Sequence, residues 1–189
     1  HDCRLQVWVD HSKTPTNFGA DIMMGHGDEP GHPAYHADLA QEYGIQFFWR
    51  GRVTGRIGQD VKGSLRGMLQ ARHLLASSRS LAKQMAKTII GSKGDDRYRS
   101  LAENRLLWPV TFRDGTCAYE FLRSNPHWAG PGRASGKDLA EAISPRVLEA
   151  LVRTGGMSII YTHLCAEMDP HSILHRATID ALRTLAEYY

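Results

Sequence analysis

The sequence has few cysteines and no long apolar run, and both shortages exclude classes of protein. Its 189 residues contain three cysteines, Cys3, Cys117 and Cys165, whose spacing fits neither a disulfide framework nor a zinc ribbon. No apolar run approaches the ~18–20 residues that cross a bilayer, so no membrane span is expected. The 23 Lys and Arg residues outnumber the 20 Asp and Glu residues by only three, and this small excess does not indicate nucleic-acid binding.

Several common functional motifs are also missing. The chain has no P-loop, no G-x-G-x-x-G segment after a strand and no G-x-S-x-G elbow, which argues against the commonest nucleotide and serine-hydrolase sites. No charged and apolar leader precedes the first predicted strand, so a signal peptide is not expected and a cytoplasmic location is favoured. The 42% share of hydrophobic residues is that of a globular protein.

The order of apolar segments predicts an α/β fold. Residues 5–9 and 45–49 are rich in strand formers, and the segment 35–43 between them is helical in pattern and ends at Gly44. This order is typical of a βα unit in a parallel sheet.

The rest of the chain predicts a hairpin and further helices. Asp114 and Gly115 lie between two strand-like segments, which predicts a β-hairpin insertion, and Pro109 places the first of these strands at an edge. Residues from about 60 to 100 predict a basic helical insertion. Helices are also predicted over 138–143, 145–153 and 172–188, and a buried strand over 157–162.

Titratable residues follow two predicted strands. Asp10 and His11 follow the first strand, and His163 follows the strand that ends at 162. The carboxyl ends of strands face the site in parallel α/β folds, and Asp and His serve as metal ligands or as general acid and base. The alternative is that each is an ordinary strand-end residue that is hydrogen-bonded to a loop.

A second candidate ligand pair is His32 and His36, which have the H-x-x-x-H spacing. On a helix, residues four apart share a face, so both imidazoles would reach one metal ion. The alternative places His32 in a loop and His36 on an exposed helix face. His171 and His175 repeat the spacing, which shows that it arises easily in a chain with ten histidines.

Trp49 and Arg113 are the candidate substrate-binding residues. A tryptophan near a strand end suits stacking on a sugar ring, and an arginine suits a carboxylate or a sugar. The alternatives are core packing for Trp49 and a plain hairpin turn for Arg113.

Three segments together resemble the polysaccharide deacetylase superfamily. They are "VWVDHS" from Val7 to Ser12 with Asn17, "YHADLAQEYGIQFFW" from Tyr35 to Trp49, and "GGMSIIYTHL" from Gly155 to Leu164. The resemblance is to divergent bacterial members of the NodB-homology type that are linked to surface polysaccharides. It implies an irregular (β/α) barrel and the metal-dependent removal of an acyl group from an amino sugar or polysaccharide.

The resemblance also implies roles for individual residues. Asp10 and His11 resemble the strand-end position of the metal ligand and base, His32 and His36 have the spacing of the family's His pair, and His163 resembles its late catalytic acid. The implied cofactor is a divalent metal, with zinc favoured. Pro33 stands where the family motif has Ser or Thr, and no Asp-Asp pair ends a strand, so the alternative is an inactive carbohydrate-binding domain on the same fold.

The length leads to a further expectation about the domain. We expect one domain over residues 1–189, whereas a (β/α) barrel needs about 200–250 residues or more. Only about five strands are visible in the pattern, the first near His1, and the last predicted helix closes at Tyr189. The prediction is therefore an incomplete barrel, and the pattern does not indicate an oligomeric state.

Overall fold

A computed structural model describes residues 5–10, 13–61, 82, 85–124, 135–164 and 173–188. These residues form mixed α/β structure with two small sheets, which divide between two compact units. The first unit is His1–Arg52 with Leu106–Leu122, and the second is Val53–Arg105 with Arg123–Tyr189.

The elements are short and are numbered here in chain order. The strands are β1 (Val7–Trp8), β2 (Phe47–Phe48), β3 (Val53–Thr54), β4 (Leu107–Thr111), β5 (Cys117–Phe121) and β6 (Arg123–Ser124). The helices are α1 (Ala37–Glu42), α2 (Arg99–Glu103), α3 (Gly136–Ala142), α4 (Pro145–Thr154) and α5 (Arg176–Glu187).

The sheet of the first unit has the order β1-β2-β5-β4, in which β1, β2 and β5 are parallel and β4 is antiparallel to β5. Strand β4 lies at an edge and contains Pro109, as predicted, because proline has no N–H to donate to a second neighbour. The predicted β-hairpin is also confirmed. The N–H of Phe112 donates to the carbonyl of Thr116 at 2.8 Å, and Gly115 takes the left-handed conformation that the turn requires, with φ +88°.

An aromatic core supports this sheet. Phe18 comes from the loop between β1 and α1, and its ring centroid lies 4.6 Å from that of Phe48 and 5.0 Å from that of Phe112. The buried cluster consists of Phe18, Ala37, Ala40, Phe48 and Phe112. The loop is therefore anchored to the sheet, and with it the polar residues that flank Phe18.

The second unit has a smaller sheet and a helical cluster. Strand β3 is parallel to β6, and Ser124 of β6 forms a parallel bridge with Ile160. Helices α3, α4 and α5 bury an apolar cluster of Leu139, Ile143, Leu148 and Ala181.

The buried strand that the sequence predicts over 157–162 is wrong for this structure. The segment forms only isolated bridges, at Met157 and Ile160, and the residues Met157 and Ile159 are 52% and 36% exposed. An apolar run specifies a strand only where a partner strand runs beside it, and here the partners are single residues.

The helices of the last third lie close to their predicted positions. Helix α4 has Ser144 at its N-cap, Pro145 at its first position and Gly155 at its end with φ +68°. Helix α5 begins four residues later than predicted, and the Nδ1 atom of its N-cap, His175, accepts the N–H of Ala177 at 3.2 Å.

Most of the predicted basic helical insertion lies outside the described residues. Within it, residues 85–92 are helical, as is α2. No helix in the described part of the chain is long and apolar enough to span a membrane. The irregular barrel and the single domain stay predictions.

Candidate functional site

An open cavity of about 430 Å³ lies at the end of β1. Its lining combines apolar and aromatic residues with a carboxylate, a hydroxyl and an imidazole: Trp8, Val9, Asp10, Thr16, Pro33, Ala34, Tyr35 and His36. The volume of this cavity lies within the range of small-molecule sites. The structure thus brings together two of the predicted site residues, Asp10 and His36, as side chains of one cavity.

Asp10 is half-buried in this cavity, two residues beyond β1. The hydroxyl of Thr16 donates a hydrogen bond to Asp10 Oδ2. The Oγ1 atom of Thr14 lies 3.2 Å from the hydroxyl oxygen of Thr16 and helps to orient it. These contacts fix the carboxylate, and a fixed carboxylate is suited to accepting a proton or holding a cation.

His36 is held in a defined tautomer. Its Nδ1 atom lies 2.8 Å from the carbonyl oxygen of Ala34, and because a carbonyl only accepts, Nδ1 carries the hydrogen. The ring packs between Trp8 and Phe18, with centroid distances of 5.0 and 4.9 Å. In the neutral ring, Nε2 then carries a lone pair, and this buried atom has no hydrogen-bond partner. A histidine that donates Nδ1–H to a backbone carbonyl is the usual form of a metal-binding or proton-accepting histidine.

His32 does not share a helical face with His36, and that expectation is wrong. Helix α1 begins at Ala37, so His32 lies in the preceding loop and His36 is the N-cap residue. The Nδ1 atom of His32 accepts the N–H of Ala34 at 3.1 Å, and its ring stacks on His26 with a centroid distance of 4.1 Å. The H-x-x-x-H spacing therefore places the two rings in different surroundings.

Arg113 ties the hairpin to the loop that carries His26. Its guanidinium donates to Asp28 Oδ1 at 2.6 Å and to Glu29 Oε2 at 2.7 Å, and its Nη2 also donates to the carbonyl of Gly25 at 2.6 Å. Burial acts to raise the pKa of Asp28, but Arg113 and the N–H of Gly19 outweigh it and hold that pKa below its ordinary value. Arg113 thus has a structural role in holding this loop, and its predicted contact with substrate stays a prediction.

Trp49 is buried, with 5% of its surface exposed, and its Nε1 atom donates to the carbonyl of Arg52 at 3.0 Å. In this structure the ring packs inside the first unit, as the alternative for Trp49 expects. The sequence pattern around it does not distinguish a buried ring from an exposed platform.

Sequence reasoning missed a buried ionic cluster in the same unit. Glu120 is fully buried on β5, and Arg52 Nη1 contacts its two carboxylate oxygens at 2.6 and 2.9 Å. Arg52 also donates to Asp21 at 2.7 Å, and Arg50 lies 3.4 Å from Glu120. Burial raises the pKa of Glu120 above its ordinary value, although both arginines oppose this. The only sequence signal is the Arg-Gly-Arg run after β2.

His163 belongs to the second unit. It is exposed, and its Nε2 atom lies 2.6 Å from the hydroxyl of Tyr161. The guanidinium of Arg123 lies over the Tyr161 ring at 3.9 Å from its centroid. Burial lowers the pKa of Arg123 to about 10, against the opposing effect of Tyr161. The structure thus places His163, the predicted acid, beside Tyr161. The sequence analysis did not predict this contact.

The predicted metal set is described only in part. His11 lies outside the described residues, as do Cys3, Cys165 and His171. Among the residues that are described, no group of three His, Cys, Asp or Glu side chains is arranged to hold a metal ion. Asp10 and His36 supply an oxygen and a nitrogen of the kinds that zinc binds.

Comparisons with models of protein families, with curated proteins and with solved structures found no match for this chain.

Proposed function

We propose that the protein is a metal-dependent hydrolase that removes an acyl group from an amino sugar or polysaccharide, as a divergent relative of the polysaccharide deacetylases. The observation that carries the proposal is the cavity that holds Asp10 and His36 together, with Trp8 and Tyr35 in its lining. Aromatic rings beside a few polar groups are typical of sugar sites. The sequence resemblance supports the same function.

In this proposal Asp10 is the general base. Its carboxylate is fixed by Thr16 and lies in a cavity where a water and an amide group have room. It takes the proton of the attacking water, and the sequence resemblance assigns the protonation of the leaving amine to His163. The bond that breaks is the amide C–N bond, and the products are the free amine and a carboxylic acid.

The donor set fits a zinc ion in part. Asp10 and His36 would hold it, and the Nδ1–H of His36 bonded to Ala34 leaves Nε2 as the ligand atom. A bound zinc ion lowers the pKa of water and polarises a carbonyl. We leave His32 out of the ligand set, because its Nδ1 atom is engaged by the N–H of Ala34 and its ring stacks on His26.

Acyl release from N-acetylated amino-sugar oligomers tests the proposal. We expect Asp10→Asn and His163→Gln each to lower kcat about 100-fold or more, because each removes one proton-transfer group. His36→Gln should lower the zinc content of the purified protein. Glu42→Gln is the matched control, since this exposed carboxylate at the end of α1 lies outside the cavity lining, and it should leave kcat and zinc content unchanged.

Two results would contradict the proposal. One is acyl release that survives both Asp10→Asn and His163→Gln. The other is a protein without zinc that binds glycans but releases no acyl group, which would favour the inactive carbohydrate-binding domain.

A further inference from the structure

The backbone of Arg56 is held firmly at the carboxyl end of β3. Its N–H donates to Thr54 Oγ1 at 3.1 Å. Its carbonyl accepts two hydrogen bonds, from Ser124 Oγ at 2.8 Å and from Gln59 Nε2 at 3.0 Å. These hydrogen bonds fix the position of the Arg56 backbone, from which the side chain extends.

The Arg56 guanidinium is a half-buried charge without a counter-charge. Its Nε atom is covered and has no hydrogen-bond partner, and no carboxylate in the described part of the chain pairs with it. Burial lowers the pKa of Arg56 with no acidic group opposing it. Arg52 shows the contrast, since its buried guanidinium meets both Asp21 and Glu120.

Taking a charge out of water is costly unless an opposite charge compensates it, and a bound anion supplies such a charge. Arg56 is only partly buried, so part of its surface is open to solvent and to an anion. A guanidinium binds the two oxygens of a carboxylate or a phosphate through two parallel hydrogen bonds.

The surroundings of Arg56 suit an anion. Ser124, which donates to the Arg56 carbonyl, also accepts the N–H of Tyr161 at 3.1 Å and directly follows Arg123. Arg56, Arg123 and Tyr161 thus meet around one residue, and Tyr161 contacts His163. At this end of the small sheet the Arg123 guanidinium lies over the Tyr161 ring, 3.9 Å from its centroid, and adds a second positive charge to that of Arg56.

We propose that Arg56 binds an anionic group of the ligand, a carboxylate or a phosphate, at the carboxyl end of β3 and β6. That the ligand is a glycan rests on the function proposed above, and the substrate is then an acidic polysaccharide or sugar. Arg56 recognises the charged substituent of this ligand.

The Nε–H signal of Arg56 in ¹H–¹⁵N spectra of the whole chain tests this proposal directly. Glucuronate, glucose 6-phosphate and glucose are the three probes. We expect a saturable shift with at least one acid and none with glucose. A response to glucuronate alone assigns a carboxylate, and a response to glucose 6-phosphate alone assigns a phosphate. No saturable shift with either acid, or an equal response to glucose, overturns the proposal.

Substitution gives an independent reading. Arg56→Gln should weaken binding of the responding acid about tenfold or more, because it removes a charge-assisted hydrogen bond. Arg153→Gln is the control, since it removes an exposed arginine charge from the same unit and should leave the affinity unchanged. Equal weakening in the two variants would show a non-specific charge effect and overturn the site.

This experiment is separate from acyl release. Anion binding at Arg56 without acyl release refutes only the hydrolase, whereas acyl release without anion binding refutes only this site. If Arg56→Gln fails to fold, the Nε–H signal of the wild-type chain still decides.

Discussion

Replacing Arg52 by methionine should expose how much the buried ionic cluster contributes to stability. Arg52 contacts both oxygens of Glu120, at 2.6 and 2.9 Å, and Glu120 has no exposed surface. Without Arg52, the remaining cation is Arg50, which lies 3.4 Å from one oxygen. Removing one partner of a buried ion pair costs about 3–5 kcal/mol, and we expect a loss of that size in the free energy of unfolding at neutral pH.

The loss should depend on pH, because Glu120 can take up a proton. Burial already raises the pKa of this carboxyl above 4.5, and removing Arg52 raises it further. Between 4.5 and the raised folded pKa, the folded variant holds a proton that the unfolded chain has released. Stability therefore falls as pH rises through this window, by up to about 1.4 kcal/mol per pH unit, and is constant above it.

Urea unfolding, followed by tryptophan fluorescence at several pH values, measures this effect in wild type and Arg52→Met. Arg99→Met is the control, because Arg99 and Glu103 form an exposed pair at 2.9 Å, with side chains that are 68% and 39% exposed. The control should lose no more than about 0.5 kcal/mol at any pH. A loss for Arg52→Met that is as small as that of the control, or one that does not grow with pH, would refute the reasoning.

Two further predictions concern the loop before α1. Arg113→Met should lower the free energy of unfolding at neutral pH by about 1–3 kcal/mol, because it leaves Asp28 buried without its cation. The pKa of Asp28 is depressed below 3.8 in the folded protein, so its contribution to the free energy of unfolding is present above pH 3.8 and is lost as pH falls through the folded pKa. Acid titration of wild type and variant, followed by circular dichroism, should therefore show the two unfolding curves converging at low pH. Gly25→Ala should destabilise the protein more than Gly31→Ala. A Cβ at position 25 would lie 2.0 Å from the carbonyl oxygen of Asn17. A Cβ at position 31 meets no neighbour, and only the backbone strain of its φ of +82° opposes the substitution. Thermal unfolding of both variants checks this, and an equal shift in Tm would contradict it.

The sequence predicts well those elements that depend on local chemistry. Pro109 has no N–H, so it indicates an edge strand whatever surrounds it, and β4 is an edge. Ser144 and Pro145 together indicate a helix start, and α4 begins there. These residues act through their own backbone, and their neighbours in sequence are enough to interpret them.

Contacts between distant parts of the chain leave no such signal. Arg113 and Asp28 lie 85 positions apart, and Arg52 and Glu120 lie 68 apart, so no spacing rule connects either pair. The His32–His36 spacing failed for a related reason. It predicts a shared face only on a helix, and the N–H of His36 instead donates to the carbonyl of Gly27, which holds this residue outside the helix.

The two proposals rest on a difference between two kinds of buried polar group. Glu120 has its charge compensated inside the molecule, and its partner Arg52 explains why it is buried. The Nε2 atom of His36 and the Nε atom of Arg56 have no such partner, although Nδ1 of His36 and the backbone carbonyl of Arg56 are both hydrogen-bonded. A buried polar atom without a partner costs about 1–3 kcal/mol in the folded protein, and a bound ligand that pairs with it removes that cost. In the two proposals the missing partner is a metal ion at His36 and an anion at Arg56.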